Sequence, residues 1–161
     1  MRARQVKYYA LLLTSLLVAL VLSVAPIPDF LQFARPLWVA LVLVFWVFES
    51  SHSFKIALAW VVGLAQDVLY GTFFGVHAFF LLFVVFCTLR FQQRLKMFPL
   101  WQQVIFLMVV FSFGQFFVFW INQFSGNNLV ISAYIFPALL SSLFWPWLYM
   151  IMSGLQKWFL R

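Results

Sequence analysis

Residues 100–121 read LWQQVIFLMVVFSFGQFFVFWI, twenty-two positions with no charge and no proline. As an α-helix this stretch reaches about 33 Å, enough for a bilayer hydrocarbon core of about 30 Å. Apolar side chains fall on every side of that helix, whereas a helix at the surface of a water-soluble domain keeps one polar face. The stretch predicts a membrane crossing, and its neighbours on both sides repeat the pattern.

Before it, Arg90, Arg94, Lys96 and Pro99 predict a basic loop, preceded by an apolar helix over 73–91. After it, 122–128 is a polar, uncharged loop, and a last span follows over 129–155, bent at Pro137 and Pro146 and closed by Lys157 and Arg161. Further upstream, 54–70 predicts a helix ending at Gly71, where glycine suits the positive φ of a helix C-terminus. Glu49 to Ser53, including His52, form a polar turn beside Lys55. Residues 37–48 are apolar but would make only about 18 Å of helix. This second helix either begins earlier, near Phe30, or crosses where the bilayer is thinned or lined by protein. Pro26, Pro28 and Asp29 separate it from a first span over 8–25. That first span follows Arg2, Arg4 and Lys7 as a secretory signal would, but it is long for a signal core. Pro26 directly after Ala25 also disfavours cleavage, so it is read as a retained helix.

Composition agrees: 66% of the 161 residues are hydrophobic, 8% are charged, and the mean hydropathy is +1.06. A soluble domain is excluded. The formal charge of +7 is no nucleic-acid footprint, because the cations stand at the termini and between apolar stretches, where they set orientation. Six crossings with a cytoplasmic N-terminus put Arg2, Arg4, Lys7, Lys55, Arg90, Arg94, Lys96, Lys157 and Arg161 inside and only Arg35 outside, nine against one. Five or seven crossings would move some of these clusters to the wrong side. Trp101, Trp120 and Trp158 fall near helix ends, as an interfacial aromatic belt requires. The expected fold is one all-α integral membrane domain over 1–161 with about six transmembrane helices, both termini cytoplasmic.

Chemistry-bearing residues are few. Cys87 is the single cysteine, and His52 and His77 stand twenty-five residues apart, so no metal site and no cofactor is expected. The three carboxylates, Asp29, Glu49 and Asp67, alternate across the membrane in this topology and cannot form an acid/base pair. No catalytic residue is assigned, and the reading is of a protein that is not an enzyme. Ser112, Gln115 and Asn122 share one face of the fifth helix, where such residues commonly bond neighbouring helices and only occasionally line a substrate route.

The most unusual segment is GLAQDVLYG at 63–71, continuing through Gly75 to His77, which holds three of the six glycines. Small residues let membrane helices approach closely. Asp67 lies twelve residues beyond Lys55, about 18 Å along the helix and toward the outer side. Three readings of it are open: a pair with Arg35 or His77, a solvated carboxylate that caps the hairpin, or a group handling protons or a ligand.

Arg35-Pro36-x-Trp38, Phe45-Trp46, Gly63-Leu64-x-x-Asp67-Val68-x-x-Gly71 and Gly75-x-His77-Ala78 occur in that order. In these motifs, over residues 30–95, and in length and basic first helix, the chain resembles MreD, the bacterial rod shape-determining membrane protein family. The resemblance implies a place in the bacterial cytoplasmic (inner) membrane and a role in the elongation machinery that makes sidewall peptidoglycan. It also implies MreC as direct partner, with MreB, RodA and the elongation transpeptidase in a larger complex among membrane lipids. The implied fold is similar to the substrate-binding subunits of energy-coupling-factor transporters. The expected role is a scaffold whose hairpin, with Arg35, Pro36, Trp46, Gly63, Leu64, Asp67, Gly71, Gly75 and His77 as its structural or partner-binding motif, presents a surface to MreC's membrane anchor. The alternative is a small-molecule or lipid-binding transport subunit in which Arg35, Asp67, His77 and Asn122 line a cavity.

Overall fold

Wherever a run of apolar residues is long enough, the backbone satisfies its own polar groups by forming helix, the option a lipid environment leaves to a single segment. A computed structural model describes residues 2–26, 28, 35–49, 54–124, 126 and 130–160. Among these, six helices and no strand form: α1 (Arg2–Val24), α2 (Trp38–Glu49), α3 (Phe54–Tyr70), α4 (Val76–Met97), α5 (Leu100–Phe124) and α6 (Ser132–Leu160). Within α1 and α6, Gln5–Val24 and Ser132–Phe159, together with α4 and α5, are long and apolar enough to cross a membrane. The chain is an all-α polytopic membrane protein. Asp29, Phe30, His52, Asn128, Leu129 and Arg161, given loop, turn or helix-end roles above, lie outside the described residues.

The short second helix is the centre of the molecule. α2 touches α1, α4 and α6, while α3 packs on α4 and α5 on α6. Every residue from Val39 to Phe48 is buried. Arg35, Pro36 and Leu37, which precede α2, are not helical. α2 therefore starts at Trp38 and is lined by protein along its length.

Several boundaries differ from the sequence reading, beginning with α1, which starts at Arg2 and not at Tyr8. α4 starts at Val76, not near 73, because Gly75 takes φ 100° and only then does the chain enter the helix. It runs on to Met97, so Arg90, Arg94 and Lys96 lie on its last turns and not in a loop. Nothing breaks the helix before Phe98, which is extended at φ −82° and ψ 144° as the residue before a proline prefers. α5 continues to Phe124 and takes in Asn122, and α6 contains Pro137 and Pro146 and runs past Lys157.

Helix ends inside the bundle are closed by side chains from elsewhere, as buried carbonyls require. Arg35 donates from Nη1 to Ser23 O and from Nη2 to Ala25 O, both at 2.8 Å, at the C-terminus of α1. Lys55, which the sequence places in a turn, is buried, and its ammonium donates to Trp46 O in the last turn of α2. Gln92 Nε2 donates to Val47 O at 2.7 Å and to Phe48 O at 3.3 Å. Gln103 Nε2 reaches Leu95 O and Phe98 O, each at 3.1 Å, while its Oε1 accepts from Trp145 Nε1 at 3.0 Å.

Candidate functional site

The α3–α4 hairpin is built around one carboxylate. α3 stops at Tyr70 with Gly71 at φ 63°. Gly71 N–H bonds Val68 O at 3.3 Å and Thr72 N–H bonds Asp67 O at 3.1 Å, the pair of contacts that makes a Schellman stop. Gly75 then leaves the first amides of α4 pointing back at α3. Asp67, 1% exposed, takes them. Its Oδ2 accepts from Gly75 N–H at 2.8 Å and Ala78 N–H at 3.4 Å, and its Oδ1 from His77 N–H at 2.9 Å. Thr72 Oγ1 donates to Oδ1 at 3.1 Å, and His77 Nδ1 lies 2.8 Å from the same oxygen. A negative charge at the N-terminus of α4 meets both its unbonded N–H groups and the positive end of its dipole.

The glycines do two different jobs. At Gly63 a Cβ would be driven into Ala78 Cα and would sit 2.7 Å from Ala78 N, so α3 and α4 meet backbone to backbone there. Gly71 and Gly75 have nothing within 4 Å of a Cβ, and their role is conformational, at φ 63° and 100°. Close packing, the common role expected from the glycine cluster, is thus confined to Gly63 within the hairpin.

The remaining motif residues spread around this end of the bundle. Arg35 goes to α1 and not to Asp67. Pro36 accepts from Trp38 N–H at 2.9 Å just ahead of α2. Trp46 is buried in α2, where its Nε1 donates to Ser15 Oγ at 2.9 Å and its ring meets Tyr8 edge-on at 5.0 Å. Leu64 is half-buried on α3, between the exposed Val61 and Val68 at helical offsets of three and four.

Beside the hairpin, at the same end, opens a cavity of about 320 Å³ to which all six helices contribute, with Ser23, Ala40, Gln66, His77, Gln115 and Tyr134 one from each. Arg35 and Asn122 also line it, whereas Asp67 stands behind His77 and does not. Ser112 lies away from the cavity, although Gln115 and Asn122 on the same helix reach it. Asn122 Nδ2 bonds Tyr134 Oη at 3.2 Å, linking α5 to α6. Gln66, quoted within the 63–71 segment but given no role there, is 5% exposed, and its Oε1 is a buried acceptor without a hydrogen-bond partner among the described residues. Its Nε2 reaches Tyr70 Oη at 3.4 Å, and that hydroxyl donates to Ser23 O at 3.1 Å. The signal for Gln66 lay beside Asp67 in the sequence, since a second polar side chain in a membrane helix needs a partner of its own.

The family described as rod shape-determining protein MreD matches residues 4–154. The chain is similar to the rod shape-determining protein MreD of Haemophilus influenzae, 28% identical over 158 residues that cover 98% of this chain and 97% of that protein. No solved structure matches it. With an all-helical membrane fold and a family match over nearly its whole length, the chain belongs to the rod shape-determining membrane protein family MreD.

Proposed function

We propose that this protein is a non-enzymatic scaffold of the bacterial inner membrane, with both termini cytoplasmic, that holds MreC and so helps organise sidewall peptidoglycan synthesis. MreB, RodA and the elongation transpeptidase are the wider company in which it would act. The observation that carries the reading is the state of Asp67. Its two oxygens accept from three backbone amides, a hydroxyl and a histidine ring, which is how a structural carboxylate is held and leaves it poorly placed to act as a base. What this knot stabilises is a hairpin whose outward surface is apolar and uncovered, with Trp60, Val61 and Val68 on α3 and Phe79 and Phe86 on α4 all exposed. A transmembrane helix such as MreC's anchor is the partner such a surface suits. Co-purification in detergent tests it. Val61→Trp and Val68→Trp, which enlarge exposed positions and spare the hairpin's interior, should reduce retained MreC severalfold, while Val109→Trp on the exposed side of α5 should not. Full retention by both hairpin variants removes the surface assignment.

A second reading, a binding subunit for a small molecule or lipid similar to the energy-coupling-factor substrate subunits, is favoured by the cavity and the unpartnered Gln66 Oε1. A donor-bearing ligand would complete that acceptor. Thermal shifts across vitamins and wall-precursor lipids decide between the readings. A ligand-dependent shift abolished by Gln66→Leu supports the carrier, and no shift with any of them removes it.

A further inference from the structure

α1 and α6 do not close on each other along their length. Between them, over α2, runs an apolar groove of about 490 Å³. Its floor is buried, with Ala19 2%, Val42 6% and Met152 8% exposed, while its rims, Val18 and Leu22 on α1 and Ile151 and Leu155 on α6, stand open. The two hydroxyls on its α1 side already have partners. Thr14 Oγ1 donates to Ala10 O at 2.8 Å, and Ser15 Oγ donates to Leu12 O at 2.8 Å while accepting from Trp46. Neither hydroxyl therefore asks for a further polar contact, and the apolar lining suits hydrocarbon.

Length and charge name the occupant more closely. From Leu11 to Leu22 the groove runs about 16 Å along α1, close to the roughly 15 Å that one leaflet contributes to the hydrocarbon core. Lys7, Leu11, Thr14, Val18 and Leu22 follow one another at helical offsets of three and four, so they share a face. An exposed ammonium thus stands one turn beyond the groove's end. Tyr134 and Pro137, in the first turns of α6, share the cavity with Ser23 at the far end of α1, so α6 runs back along α1 and the exposed Trp158 lies toward the Lys7 end, a residue type that favours the interface. An apolar partner helix would leave the Lys7 ammonium without a counter-charge, which a phospholipid headgroup supplies.

We propose that the groove between α1 and α6 is a binding site for one anionic phospholipid, with an acyl chain lying over Ala19 and Val42 and the phosphate meeting the Lys7 ammonium. The site is apart from the hairpin and shares only Trp38 with the lining of the cavity beside it. Native mass spectrometry of the detergent-purified protein, titrated with phosphatidylglycerol or phosphatidylcholine, tests it. The wild type should hold one lipid and favour the anionic one about fivefold, the effect of one lysine at a membrane surface. Lys7→Gln should bring that preference to parity while lipid still binds. Val18→Trp or Ile151→Trp, each filling the groove from an exposed rim without disturbing the floor, should abolish retention of both lipids. An anionic preference that survives Lys7→Gln, undiminished retention in both rim variants, or no retained lipid in the wild type would each overturn the proposal.

Discussion

Asp67 and Gly63 show how much of this protein rests on single side chains. Removing the carboxylate leaves the Gly75 and His77 amides at the head of α4 without acceptors, at about 1–3 kcal/mol for each buried donor. Asp67→Leu should therefore lower the thermal unfolding midpoint in detergent well below that of Asp67→Asn, which keeps one acceptor oxygen. Equal midpoints for the two variants would mean that the hydrogen bonds contribute little. Among the glycines, Gly63→Ala forces a methyl into the α4 backbone and should cost about 1–3 kcal/mol or more, as overpacking does. Gly71→Asn keeps a residue that tolerates positive φ and should cost far less. The same thermal assay reads both, and a Gly71→Asn loss as large as that of Gly63→Ala would contradict the division of roles. The sequence made Asp67 conspicuous, because a charge among glycines in an apolar helix has to be matched by something. Whether Arg35 or His77 stood next to it was not legible, since both lie at the same end and only the turn at Gly71 and Gly75 decides which one faces the carboxylate.

At the level of elements, α2 is the case in which length misleads. Twelve apolar residues are too few for the usual crossing, and they carry no amphipathic period that would say which side is covered. When every side of a helix is apolar, the pattern cannot distinguish contact with lipid from contact with protein. The structure surrounds α2 with protein and closes its C-terminus with Lys55 and Gln92, two residues from other helices. The contact of Lys55 with α2 went unread because a lysine at a helix start has an orienting role that explains it without any contact. Gln92→Leu should destabilise by about 1–3 kcal/mol through the unbonded Val47 and Phe48 carbonyls, whereas Ser112→Ala, away from the cavity, should be nearly silent. Thermal midpoints of the purified variants check this, and a silent Gln92→Leu would show that the end of α2 needs no cap from α4. Boundaries at the basic segment were misplaced for a related reason. Charge marks the side of the membrane, but only Pro99 stops the helix, and Arg90 to Lys96 lie before it.

For the whole molecule, the legible part was class: an all-helical membrane protein of six helices among the described residues. The cavity was not legible. Six helix ends from distant parts of the chain build it, and Gln66, Gln115 and Asn122 look alike in sequence whether they bond a neighbouring helix or face an opening. In the proposed orientation the hairpin turn faces outward. With Cys87 replaced by serine, a cysteine at Phe74 should react with a membrane-impermeant maleimide in intact spheroplasts, and one at Met97 should react only after lysis. The reverse pattern would invert the topology and remove the periplasmic placement of Asp67. The partner surface is tested most directly by a photoreactive amino acid placed in living cells at Val61 or Val68 on α3 and, for comparison, at Val109 on α5. The scaffold account expects MreC to be captured from the two α3 positions and not from α5. MreC captured at Val109 alone, or at none of the three while it co-purifies with the wild type, would contradict it.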